Sequence, residues 1–281
     1  MTSFNSIALN GSTLTVNGTD YNLSLSQTAE GTDSSLSSFK GVAAVDNGDG
    51  TISLTVGENT VVVEKYVAVV MPTKGDLITM TLGNAAPAAG TNNQYRVLKI
   101  EGSVAEVVAM FDQSTSQKFD DEMDNTYAGS ALNTYLTTWY NNLNADAKAA
   151  IVAKNVQQYQ YTWSLSVYNA TTHASYADYS TKAAKGSAVS MYVYALDVED
   201  IEQYFGGTFG NADIWTMFWN TTSAPGIITN PWLRSARAGE SQSAFLVYCR
   251  DGYVDFDGAL GGYAARPAFT IDLSKIEWSK V

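Results

Sequence analysis

An α+β protein, with a small all-β unit ahead of a larger mixed one, is what the sequence predicts, and three observations carry that expectation. Short apolar runs in the first 70 residues alternate with turn signals, among them two Asn-Gly pairs. The stretch around Tyr135 keeps the i, i+3, i+4, i+7 spacing of one buried helical stripe. From Trp232 to Leu273 the chain returns to strand-like runs cut by Asp251-Gly252 and Asp257-Gly258. Strands, then helices, then a closing run of strands is an α+β order.

In the first unit, Ile7 to Leu9, Leu14 to Val16 and Tyr21 to Leu25 are separated by Asn10-Gly11 and Asn17-Gly18. Both residues of such a pair tolerate positive φ, which a tight hairpin turn demands. Val42 to Val45, the alternating Ile52, Leu54 and Val56, and Val61 to Val63 continue the pattern, giving a sandwich-like, immunoglobulin-like unit of roughly six strands. Few aromatics and a marked acidity distinguish it from the remainder of the chain, which places a boundary near Pro72 and units at 1–71 and 72–281.

The second unit opens with strand-like runs at Gly75 to Met80, Tyr95 to Ile100 and Val104 to Met110. Ser130 is an N-cap candidate for a helix burying Leu132, Tyr135, Leu136, Trp139 and Leu143. A second helix is expected from Asn144, carrying Ala147, Ile151 and Val152 inward. Asp197 caps a third, with Val198, Ile201 and Phe205 on one face and Gly206-Gly207 as its stop.

Composition excludes several function classes. A formal charge of -12, from 28 acidic against 16 basic residues, with no Lys or Arg cluster, argues against nucleic acid as a partner. No apolar run approaches the roughly 20 residues of a spanning helix, so no membrane insertion is expected. The opening residues show neither a basic nor an apolar signal-like region; release by lysis, or by some route other than a cleaved signal, is expected if the protein works outside a cell. Cys249 is the single cysteine and reads as a buried small hydrophobe. Only 16% of residues are charged, with Ser, Thr, Asn, Gly and Tyr abundant, a balance common on virion and extracellular surfaces.

The series Tyr95-Arg96-Val97-Leu98-Lys99-Ile100, Lys118-Phe119-Asp120-Asp121, Asn125-Thr126-Tyr127, Trp232-Leu233-Arg234-Ser235 and Ala265-Arg266-Pro267-Ala268-Phe269 resembles a domain family of unknown function found in phage and gut-bacterial surface proteins. The resemblance spans about residues 74–276. It implies a fold similar to C-type lectins and formylglycine-generating enzymes, and a role in recognition. Formylglycine chemistry needs a cysteine pair to hold copper, and this chain has one cysteine. Arg234 and Arg266, inside the scaffold-like motifs, read as strand-pinning groups.

Catalytic chemistry finds little to build on. His173 is the sole histidine, in a stretch that reads as exposed loop, with no nucleophile elbow beside it. Asp120-Asp121-Glu122-Met123-Asp124 lacks the Gly and Glu of a calcium loop, so turn and capping roles are expected there and no metal or other cofactor is assigned. The informative signal is aromatic. Tyr161, Trp163, Tyr168, Tyr176 and Tyr179 sit with His173 among small polar residues, the mixture of antibody binding loops. Arg237, Glu240, Gln242, Tyr248, Arg250 and Tyr253 complete the candidate ligand-binding set if the final strands lie beside that stretch. The expectation is a non-enzymatic phage particle protein, a head fibre, decoration or tail appendage. Its first unit would dock on other virion proteins, and its second would bind a bacterial surface glycan or protein, in a homo-oligomer; a bacterial surface adhesin is the alternative.

Overall fold

The computed structural model describes residues 71–83, 93–111, 114–169, 173–218 and 230–281, together with the backbone of six strands in the first 70 residues. The chain divides into two compact units, Met1–Val70 and Met71–Val281. In the first, Ile7–Asn10, Thr13–Val16 and Thr19–Asn22 form one antiparallel three-stranded sheet. Val42–Asp46, Thr51–Val56 and Asn59–Glu64 form another. Asn10 faces Thr13 and Val16 faces Thr19; Gly11, Asn17 and Gly18, on which the two expected hairpin turns rest, lie outside the described residues.

The second unit is organised around two sheets. One has seven strands, all antiparallel, with Ala268–Asp272 between Val104–Ala109 on one side and the short Ile151–Val152 and Val193–Tyr194 on the other. Beyond Val104–Ala109 come Gln94–Glu101, Leu77–Met80 and the edge strand Trp278–Lys280. The other sheet runs in the order Ala177–Ala184, Tyr159–Trp163, Trp232–Arg237, Ser243–Tyr248, Tyr253–Gly258. Its two ends meet on one ribbon. Residues 177–184 pair antiparallel with Tyr159–Trp163, while just upstream the Tyr176 N–H donates to Val254 O at 3.0 Å and the Val254 N–H to Ala174 O at 2.5 Å. The sheet therefore curls into a half-barrel, its two ends joined by one isolated bridge between Ser175 and Val254.

This corrects the expected fold class. The described residues hold far more strand than helix, and the α+β, C-type-lectin-like layout does not describe them. The physical reason lies in two places. The Tyr-rich stretch read as loop is strand on both sides of a five-residue helix, and the helix from Asn144 stops at Ala150, after which Ile151 and Val152 join the sheet. A two-residue strand carries no readable period.

Among the described residues five α-helices pack around these sheets: α1 (Ala131–Asn141), α2 (Ala145–Ala150), α3 (Leu165–Asn169), α4 (Val198–Phe205) and α5 (Asn211–Phe218). Ser130 caps α1 by accepting the Asn133 N–H at 3.1 Å, and Asn144 caps α2 through Ala147 N–H at 2.7 Å. Asp197 and Asp200 form a reciprocal capping box on α4, which ends at Gly206 with φ 76°. Its buried face is Val198, Ile201 and Tyr204, one position off the expected Phe205. Tyr95, Phe111, Trp139 and Phe269 pack edge-to-face or tilted in the core, and Phe119 packs on Trp232.

Candidate recognition surface

The curled sheet is braced from within by buried polar groups. The Arg234 guanidinium donates to Asp200 at 2.5 Å and to the carbonyls of Ala195 at 2.8 Å and Gln157 at 2.9 Å. Burial opposes its charge, but Asp200 and Asp197 overcome that and hold its pKa above the ordinary arginine value. Burial alone would raise the pKa of Asp200; Arg234 reverses the sign and lowers it. Asp197, deeper and shared with the Tyr161 hydroxyl at 2.9 Å, is instead raised by burial. Arg266 donates to Phe218 O at 2.7 Å.

A second brace holds the turn after Trp232–Arg237. The Asn125 amide, fully buried, donates to the carbonyls of Glu240 and Ser243 at 2.7 Å each and of Arg237 at 3.2 Å. Gln158 in turn donates to Asn125 O and Arg234 O, both at 2.7 Å, and accepts the Tyr127 N–H.

On this frame five half-buried rings come together where the ribbon closes the sheet. Tyr168, on α3, stacks on Tyr176 with centroids 4.1 Å apart and planes 14° apart. Tyr176 stacks in turn on Trp163 at 5.5 Å and 18°. Tyr253 meets Tyr176 and Tyr168 edge-on at 5.7 and 5.9 Å, and Tyr248, its direct cross-strand partner, lies against it at 4.9 Å. The Trp163 indole N–H donates to Asp255 at 2.7 Å. Phe256 sits edge-on to Trp163 at 5.9 Å, and the Arg237 guanidinium lies 3.8 Å over Phe256, paired with Glu240 at 2.7 Å. The rings, Phe256, Arg237 and Glu240 thus form one continuous strip.

Local chain geometry makes the strip possible. The Ser164 N–H donates to Tyr176 O at 2.8 Å, which sets α3 against the ribbon. The turn joining Tyr248 to Tyr253 needs Gly252: its φ is +72°, and a Cβ there would fall 2.8 Å from Asn211 O and 2.9 Å from the Trp215 indole nitrogen. Glycine alone meets both the positive φ and the close approach.

The twelve candidates therefore separate. Trp163, Tyr168, Tyr176, Tyr248, Tyr253, Arg237 and Glu240 are brought together. Tyr161 is not at the surface but wholly buried, edge-on to Tyr179 and Phe245. His173 is half-buried rather than on an exposed loop; its ring lies 6.1 Å from Tyr179, and its Nδ1 and the Tyr179 hydroxyl are both buried without a hydrogen-bond partner. Gln242 and Arg250 are exposed on turns. Asp255 and Phe256 were not among the candidates, although the alternation Tyr253-Val254-Asp255-Phe256-Asp257 was a signal that could have found them.

Electrostatics sharpen the picture. Burial, then Tyr248, Asp251 and Asp255, push the Tyr253 phenol up to about 12. Burial and the carboxylates of Asp257, Asp255 and Asp251 also raise Tyr248, against a lowering contact from Tyr263. Asp255 is raised by burial. Among the described residues no trio of His, Cys, Asp or Glu is arranged to hold a metal, and Asp120 accepts the N–H groups of Glu122 and Asp124 within its own turn.

Residues 92–273 match the family described as a domain of unknown function, DUF6273. The chain belongs to the DUF6273 family. The whole aromatic strip and both braces lie inside the DUF6273 stretch, whereas two strands of the seven-stranded sheet, Leu77–Met80 and Trp278–Lys280, lie outside it. No curated protein and no solved structure matches this DUF6273 protein.

Proposed function

We propose that this DUF6273 protein is a non-enzymatic recognition protein of a phage particle, in which residues 1–70 attach to other virion proteins and the second unit contacts the bacterial surface. The observation that carries the reading is the strip of five partly buried rings on a braced, curled sheet. Rigid Tyr and Trp side chains lose little entropy on binding and dominate interface energetics. Hydroxyl-rich, low-charge composition supports display outside a cell. The sole histidine packs on Tyr179 and the sole cysteine is buried, which leaves neither poised as a nucleophile or base.

The test replaces Tyr168, Tyr176 and Tyr253 together by Ala in the full chain. Binding to host cells or isolated envelopes should be lost, since a hot-spot ring is worth about 2 kcal/mol or more, while the melting temperature of the core changes little. Retained binding by a folded triple variant would move the recognition site elsewhere. Immunogold labelling that found the protein only on cell envelopes would replace the virion with a cell-surface adhesin.

A further inference from the structure

The aromatic strip carries an asymmetry of charge. Along it lie the carboxylates of Glu240, Asp251, Asp255 and Asp257 and the guanidinium group of Arg237, four against one, with Arg250 exposed on the turn beside Asp251. Arg237 is spent twice over, stacked on Phe256 and paired with Glu240. Asp255 and Asp257 accept from neighbours, Asp255 from the Trp163 indole and the Phe256 N–H, Asp257 from the Gly258 N–H and the Tyr263 hydroxyl. Each keeps lone-pair capacity beyond those bonds, because an ionised carboxylate has about four acceptor sites. Asp251 is exposed on the turn between Tyr248 and Tyr253.

A ligand that meets these rings therefore meets acceptors, phenol hydroxyls and net negative charge at once. Apolar ring faces suit the C–H faces of a sugar, and carboxylates suit its hydroxyl donors. The same carboxylates repel sulfate, phosphate, uronate and sialate groups, because like charges set opposite each other at an interface are penalised. Resting on the recognition reading above, we infer that the strip takes a saccharide free of acidic groups, a neutral or amino sugar, and rejects acidic glycans. A phosphate-rich envelope polymer or a nucleic acid is the wrong sign for this surface.

An array of immobilised neutral, amino and acidic oligosaccharides, probed with the full chain at low and physiological salt, tests the inference. The bound glycans should be neutral or amino sugars, and an added carboxylate or sulfate should weaken binding by about fivefold or more, the effect of one partly exposed charge. Asp251→Lys, on an exposed turn position, should narrow that gap while Asp251→Asn narrows it less, with melting temperatures unchanged as the check on folding. Acidic glycans bound as tightly as neutral ones, or an acidic-to-neutral ratio untouched by Asp251→Lys, would overturn it. Silence across the array with intact binding to host cells would sink the saccharide class and leave recognition standing. Silence on both would sink recognition too.

Discussion

Asn125 directs one amide nitrogen at three carbonyls of the turn that carries Arg237 and Glu240. Backbone carbonyls left unpaired in a buried site cost about 1–3 kcal/mol, so Asn125→Ala should lower the unfolding free energy by that much, read as a fall in the urea midpoint at unchanged slope, and loosen the turn, with the aromatic rings undisturbed. An unchanged midpoint would mean the turn is held by its own strand pairing. Tyr161 offers a narrower case. Its hydroxyl donates to Asp197 inside the core, and Tyr161→Phe removes one donor from a buried carboxylate that also faces Arg234. A loss of about 1–3 kcal/mol is expected, visible as a lower melting temperature with binding intact. Among single residues, the caps were legible in the sequence because Ser130, Asn144 and Asp197 act on N–H groups within three positions. The depth of Tyr161 was not, since its burial is made by strands far along the chain.

Gly252 shows the same contrast at the level of an element. The turn at Asp251-Gly252 was readable as a break between strands, yet the reason for the glycine is the approach of Asn211 and Trp215 on α5, an element the sequence pattern did not announce. Gly252→Ala combines a strained φ with a clash against backbone and should cost about 1–3 kcal/mol; a melting temperature within error of the parent would refute the contact. The Tyr-rich stretch hid its strands for a physical reason as well. Tyr159–Trp163 does alternate aromatic and polar residues, with Tyr161 buried and Thr162 exposed, but the run is only five residues long, shifts register between Gln160 and Thr162, and gives way to helix two residues later, so it merged with the small polar residues around it. Helix α1 was legible because eleven residues give three turns of period, with Leu132, Leu136 and Trp139 all buried.

For the molecule as a whole, tyrosine is the dominant titratable component of the interior. Burial pushes Tyr127 up to about 12, as it does Tyr253, and moves Tyr95, Tyr161 and Tyr194 in the same direction. An unfolded phenol ionises near pH ~10 while the folded protein holds its proton, so stability present below pH ~10 is lost as pH rises through about 12. Chemical denaturation at stepped pH should show midpoints falling steeply from about pH 10; a flat profile there would mean these hydroxyls reach solvent. Residues 71–281 form a compact unit with their own core and should melt cooperatively when expressed alone. Failure of that fragment to fold would tie its stability to the first 70 residues. At this scale the sequence conveyed strand-like runs at both ends of the second unit but neither their order in the sheets nor the curl, because the two bonding partners of the ribbon, residues 159–163 and Val254, lie far apart along the chain.

The seam of the curled sheet is joined by main-chain groups: Tyr176 N–H to Val254 O, Val254 N–H to Ala174 O, Ser164 N–H to Tyr176 O. Peptide groups are common to every amino acid except for the missing N–H of proline. Evolution can therefore rewrite the side chains at 163, 168, 176 and 253 without unfastening the structure beneath them. A randomised library at those four positions should yield a large fraction of folded proteins with altered ligand preference, which makes this seam a natural place for diversification and a practical graft site for new specificities.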